Sequence, residues 1–188
     1  MKNEAQPRIL AAEDNPVNRM VLGLLLTNLG VESEFVENGK QAVEAAIPNG
    51  YSLILMDIMM PEMDGFEAAF EIRKREFELE RHTPIIAVTA LDKEHVKEQA
   101  IRAGMDDYVA KPISREILHK KIERWSQIPV HPQPVTPELA QKVSQLIGHD
   151  TETPINDYSL KIMYGLEKLD DILALFIGSR HFFGENPR

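Results

Sequence analysis

Between Arg8 and Trp125 the chain alternates two kinds of hydrophobic pattern. Short runs of aliphatic and β-branched residues, RILAA (8–12), ESEFV (32–36), SLILM (52–56), PIIAV (84–88) and DYVA (107–110), read as strands. The central runs are apolar at consecutive positions, as required of a strand covered on both faces. Between them lie longer stretches whose apolar residues return every three or four positions, the spacing of one helix face. The first helix is predicted after DNPVN, where Asp14 or Asn15 can cap free amides and Pro16 suits the first turn. Val17, Met20, Val21, Leu24, Leu25 and Leu29 share its buried face, and Gly30 stops it. Further helices are predicted over 38–47, 65–78, 93–103 and 114–125, with Asp64 capping the third, Gly104 ending the fourth and Ser114 capping the fifth. Strictly alternating strands and helices imply an α/β fold: a doubly wound five-stranded parallel sheet with helices on both faces. The ligand crevice of such a sheet lies outside the carboxyl ends of its strands.

That topology changes the meaning of the acids. The first strand runs into Glu13 and Asp14 and the third into Asp57, so three carboxylates are predicted at one rim. Two such charges about 4 Å apart repel by ~4 kcal/mol at an effective dielectric of about 20, so the cluster needs positive compensation. An oxygen-only donor set suits a hard divalent cation, and Mg²⁺ commonly takes one or two carboxylates together with waters and phosphate oxygens. The fourth strand ends toward Thr89 and the amide of Ala90, and the fifth leads into Lys111, which adds a hydroxyl, a backbone donor and an ammonium. Each residue has a bland reading on its own. Asp14 is a good helix cap, Thr89 an ordinary strand residue, Lys111 a solvated lysine and Tyr108 a half-buried strand aromatic. Met56, Met59, Met60 and Met63 suit core and loop packing, not Mg²⁺ ligation through sulfur. His82, His119 and His131 read as solvated. Asp57 resists a bland reading, because no helix starts directly after it for it to cap.

The ordered set EDN at 13–15, LMDIMMPEMDG at 55–65, VTA at 88–90 and DDYVAKP at 106–112 resembles the receiver domain of two-component response regulators and hybrid histidine kinases, whose sheet is flavodoxin-like. The resemblance covers residues 8–126. It implies that Asp57 is the phosphoacceptor, taking a phosphoryl group from phosphohistidine on a histidine kinase or histidine phosphotransfer protein. It further implies that Glu13, Asp14, Asp57 and the Met59 carbonyl hold Mg²⁺. Thr89, Lys111 and the amides of Met59 and Ala90 would bind the phosphoryl oxygens. Thr89 and Tyr108 become the switch pair that changes a partner-binding surface, and Lys111–Pro112 becomes a candidate cis peptide. Such a protein phosphorylates and dephosphorylates itself with Mg²⁺ and has no separate small-molecule substrate. The stretch KREFELERHTP (74–84) is longer than the simplest family pattern, and either extends the third helix or forms a partner-specific loop.

Beyond 126 the composition changes. Residues 127–137 carry Pro129, Pro132, Pro134 and Pro137 and read as a semi-rigid linker. A helical extension is expected over 138–188, its helices near 137–147 and 156–178. Ile155, Tyr158, Ile162, Leu166, Leu169, Leu173 and Phe176 form a stripe that needs a partner: the receiver part, a second copy in a homodimer, or further helical chain. Residues 154–177 weakly resemble the opening of a histidine phosphotransfer domain, but His181 is followed by FFGENPR and lacks that family's Lys and Gly. Of the 188 residues 43% are apolar and 27% charged, which places the chain among folded globular proteins. A net charge of −9 without a basic stripe argues against nucleic acid as a partner. With no cysteine, no apolar run of ~18 residues and no signal-peptide block at the start, the expectation is a cytoplasmic protein without membrane insertion. Other functions fit less well. A degenerate receiver acting as a phosphorylation-independent binding module would not need Asp57, Thr89 and Lys111 together. An aspartate-nucleophile phosphatase wants an acid where Met59 stands, and a flavin binder wants a Gly- and Ser-rich loop where EDNPVN stands.

Overall fold

The computed structural model describes residues 7–90 and 93–131. Strands β1 (Arg8–Ala12), β2 (Glu32–Val36), β3 (Leu53–Asp57), β4 (Ile85–Thr89) and β5 (Asp107–Ala110) alternate with helices α1 (Pro16–Asn28), α2 (Gly39–Ala46), α3 (Gly65–Glu78), α4 (Lys93–Arg102) and α5 (Arg115–Ser126). All strand pairs are parallel, in the order β2-β1-β3-β4-β5. The order reverses between β1 and β3, and in a doubly wound sheet that reversal opens the ligand crevice. The expected fold class and all ten elements are present within these residues. The expectations for the linker from 132 onward and for the helical extension, including the stripe from Ile155 to Phe176 and His181, lie outside the described residues.

Side chains alternate across the central strands and fill both layers. Leu10, Ala12, Ile54, Met56, Ile85 and Ala87 join Val43 of α2, Ala69 and Ile72 of α3 and Ala100 of α4 in one buried cluster. Ile9, Ala11, Leu53, Leu55, Ile86 and Val88 alternate with these and are equally buried. Helix α5, with Leu118 and Ile122 buried, contacts β3. Truncating one such Leu or Ile to Ala costs about 2–5 kcal/mol, so the strands that carry the rim acids are held by many terms of that size. Helix α1 is buried beyond its predicted stripe, since Leu22 and Leu26 are also 2% and 0% exposed.

Local signals act mostly as read. Asn15 caps α1, its Oδ1 accepting from the amides of Val17 and Asn18 at 2.9 and 3.1 Å, and Asp64 caps α3 by accepting from Glu67 N at 2.8 Å. Asp14 does not cap. Gly30 and Gly104 adopt the left-handed φ values of 71° and 85° that follow a helix end. Ser114 is a correction: it precedes α5, but its hydroxyl bonds Glu116 Oε2 at 2.8 Å and caps no amide. Strands β3 and β4 run one residue later than predicted, because backbone pairing continues through Asp57 and Thr89. The long segment 74–84 ends in a brace. Arg73 donates to the Gly104 and Thr83 carbonyls at 2.8 and 2.9 Å and to Asp106 Oδ2 at 2.7 Å, and it pairs with Glu76. Buried Glu76 also accepts from Thr83 N at 2.7 Å. His82, expected to be solvated only, lies 2.7 Å from Asp106 Oδ1 while remaining exposed.

Helix α3 starts against the backbone of β3. Gly65 N donates to Ile58 O at 3.0 Å, and a Cβ at Gly65 would fall 2.1 Å from the Asp57 carbonyl oxygen. Helix propensity alone favours Ala over Gly by about 1 kcal/mol, but the clashing neighbour is backbone and cannot swing aside. Gly65→Ala is therefore expected to destabilise the protein by about 3 kcal/mol, measured by urea unfolding; a neutral or stabilised variant would show that α3 can retreat from β3.

Candidate phosphoacceptor and cation site

The sheet order brings the carboxyl ends of β1 and β3 side by side, with β4 and β5 following. Glu13 leaves β1 with its amide bonded to Val36 O at 3.0 Å, and its side chain is 2% exposed. Asp57 closes β3 and is 5% exposed. Asp14 is exposed to water, yet one carboxylate oxygen from each of Glu13, Asp14 and Asp57 falls within 4.8 Å of the others. The predicted convergence is therefore present, with two of the acids buried and one at the mouth.

Lys111 lies closer to these acids than its place after β5 alone required. Its Nζ donates to Glu13 Oε2 and to Asp57 Oδ2, both at 2.7 Å, across sequence separations of 98 and 54 residues. Its backbone amide donates to Thr89 O at 2.7 Å, which ties the end of β5 to the end of β4, and the Lys111–Pro112 peptide is cis. Burial works against the ammonium, but the charges of Glu13 and Asp57 outweigh it and raise the Lys111 pKa above its ordinary value. One ammonium does not neutralise both buried acids. Burial, reinforced by the Asp57 charge and opposed by Lys111, raises the Glu13 pKa to about 7.

The side chains that converge here offer only oxygen donors. Three carboxylates and no nitrogen or sulfur ligand suit a hard divalent ion, and the negative charge left after Lys111 is the charge such an ion would match. Met59 is largely exposed, and its amide donates to Asp57 Oδ1 at 3.2 Å. Thr89 is 2% exposed at the end of β4, Ala90 follows it at the surface, and Tyr108 is half-buried with Lys121 Nζ 5.6 Å from its ring centroid.

Two neighbours of the acids escape a reading by hydrophobic period. Asn18 Nδ2 donates to Glu13 Oε1 at 3.0 Å, where the Asn15 amide also donates at 3.3 Å. Arg19 Nη1 donates to the carbonyls of Glu13 and Asp14. In the sequence both residues are polar gaps in an apolar helix. The available signal was their place five and six residues after Glu13, in the turn that a cap at Asn15 folds back toward the acids.

The profile of the response regulator receiver domain matches residues 9–123, and the chain belongs to that family. Its function is that of a receiver in phosphorelay signalling. It is 41% identical to the signal transduction histidine-protein kinase BarA of Shigella flexneri over 192 aligned residues, covering 95% of this chain and 20% of that protein. It spans a fifth or less of the length of curated relatives such as this one, from 20% down to 7%. Among solved structures, the receiver domain of sensor histidine kinase PA1611 from Pseudomonas aeruginosa is 42% identical at a TM-score of 0.60, covering 65% of this chain and 99% of that one. That structure has magnesium coordinated in its active-site cleft. The receiver domain of Ssk1 from Saccharomyces cerevisiae, solved with the histidine phosphotransfer protein Ypd1, is 32% identical at a TM-score of 0.60 over 67% of this chain and 92% of that one.

Glu13 gives the site a pH signature. Its folded pKa lies above the unfolded value of 4.5, so the folded state holds the extra proton between pH 4.5 and about 7. Stability from this group is complete below 4.5 and is lost as pH rises through 7. In chelator, Glu13→Gln should remove a downward slope of up to about 1 kcal/mol per pH unit across that window, followed by urea unfolding at successive pH values. A slope identical to wild type would place the excess proton elsewhere.

Proposed function

We propose that Asp57 accepts the phosphoryl group and that Glu13, Asp14 and Asp57, with the Met59 carbonyl, hold Mg²⁺. The observation that carries this reading is Lys111, whose ammonium bridges Glu13 and Asp57 at 2.7 Å to each in a cluster that still lacks positive charge. When bound, Mg²⁺ supplies charge that draws the phosphoryl oxygens toward the acids and offsets their mutual repulsion. Asp57 attacks phosphorus through a carboxylate oxygen; the P–O bond forms as the P–N bond of phosphohistidine breaks, and the electron pair returns to the imidazole nitrogen of the donor. Lys111 is already poised on Asp57 and passes from carboxylate to phosphoryl oxygen, while Thr89 and the amides of Met59 and Ala90 complete the cradle. Thr89 and Tyr108 then carry the change to a partner-binding surface.

The donor is a histidine kinase or a histidine phosphotransfer protein, in keeping with the Ypd1–Ssk1 pairing of one structural relative and the kinase identity of others. Residues 8–126 form the phosphoacceptor unit. No helix among the described residues is long and apolar enough to cross a membrane, and the location proposed is the cytoplasm. The intact acids, hydroxyl and ammonium argue against the phosphorylation-independent alternative.

Incubation with acetyl phosphate and Mg²⁺ is expected to give a hydroxylamine-labile adduct of one phosphoryl group, detected by intact mass. Asp57→Asn and excess chelator should each abolish it, and Lys111→Ala should slow its formation by about 10²–10³-fold, the usual loss for a donor to developing oxyanion charge. Undiminished labelling of Asp57→Asn would assign the acceptor to another residue.

A further inference from the structure

Resting on that cation reading, we infer that Arg19 is a positioning residue that holds Asp14 in place for the metal. The two buried acids have their own anchors: Glu13 is held by Asn18, Asn15 and Lys111, and Asp57 by Lys111 and the Met59 amide. Asp14 is exposed, and among the described residues no hydrogen bond or ion pair holds its carboxylate. What the fold fixes is the direction in which its Cβ leaves the backbone. Arg19 Nη1 donates to Glu13 O at 2.8 Å and to Asp14 O at 2.7 Å, which fixes the peptide planes on either side of Asp14. With the Glu13 amide bonded to Val36 O at 3.0 Å, the loop from β1 to α1 is held at consecutive backbone groups.

Arg19 is suited to this role without opposing a cation. Its side chain is only 12% exposed, and Nη2 pairs with Glu37 Oε1 at 2.9 Å. Glu37, just after β2, neutralises the guanidinium beside a site that would otherwise feel its charge. The arginine thus contributes geometry, and it ties the acid loop to the loop following β2.

Magnesium chloride titrated calorimetrically into the full chain tests this. Arg19→Ala should raise the Mg²⁺ Kd by about tenfold or more, the usual loss when a partner that orients a metal ligand is removed. Arg19→Lys, which keeps one cationic donor, should recover part of it. Arg8→Ala removes an arginine bonded to Glu34 and to Asn49 O at 2.9 Å each at the opposite end of β1; it should lower thermal stability and leave the Mg²⁺ Kd within about twofold of wild type, as expected of a distant site. An Arg19→Ala Kd that close to wild type, or an equal loss in Arg8→Ala, overturns the assignment. Amide exchange in EDTA separates the clamp from the cation. Faster exchange at Asn15 and Val17 in Arg19→Ala supports the clamp even if the wild-type chain gives no Mg²⁺ binding heat, a result that would sink the cation reading alone. Unchanged exchange overturns the clamp.

Discussion

One ammonium between two buried carboxylates is the constraint on which the rest of this structure turns. Lys111 satisfies an oxygen of Glu13 and an oxygen of Asp57, yet it brings a single positive charge to two buried acids with a third at the mouth. Burying unpaired charge is among the costliest things a fold can do. The site relieves the cost by retaining a proton on Glu13 up to a pH of about 7. A proton is an exchangeable occupant, and a divalent cation is the kind of group whose charge would stand in its place. The electrostatic incompleteness is thus what makes the cluster chemically responsive.

Holding that arrangement requires a rigid frame, and the sheet supplies it. Reversal of strand order between β1 and β3 places Glu13 beside Asp57, and the bond from Lys111 N to Thr89 O binds the β5 end to the β4 end. Gly65 lets α3 approach the backbone that carries Asp57. Asn15 caps α1 and, through its amide, also touches Glu13, so the device that starts the helix orients an acid as well. Each of these is a local feature of sequence whose consequence is the geometry of the rim.

The fold was legible because its signals are periodic and local. Consecutive apolar residues in IIAV and LILM demand two covered faces, and Asn15–Pro16, Asp64–Gly65 and Gly104 punctuate helices by backbone chemistry. The gathering of Glu13, Asp14, Asp57 and Lys111 was legible once strand ends were known, since topology fixes which loops meet. Other features depended on contacts between distant segments. That Lys111 bridges both acids, that Arg73 joins Gly104, Thr83 and Asp106, and that Arg19 reaches back to two carbonyls follow from side-chain reach across elements, which hydrophobic period does not encode. Ser114 stands just before α5, but its hydroxyl is turned to donate to Glu116 Oε2 and its oxygen accepts from no amide, a side-chain orientation that the sequence pattern does not encode.

The two ends of the sheet hold similar charge clusters in different surroundings. At the amino end Arg73 is matched to Glu76 and Asp106, and these acids also accept the amides of Thr83 and Ile85 at 2.7 Å each. Arg73 there faces two acids, but their oxygens are also taken by backbone amides, and a network so bonded is costly to open because removing any member strands the others. At the carboxyl end a third acid, Asp14, stands exposed beside the Lys111 bridge, so the cluster is open to water on one side. One end is thus closed by backbone hydrogen bonds around its charges, and the other leaves a carboxylate facing solvent.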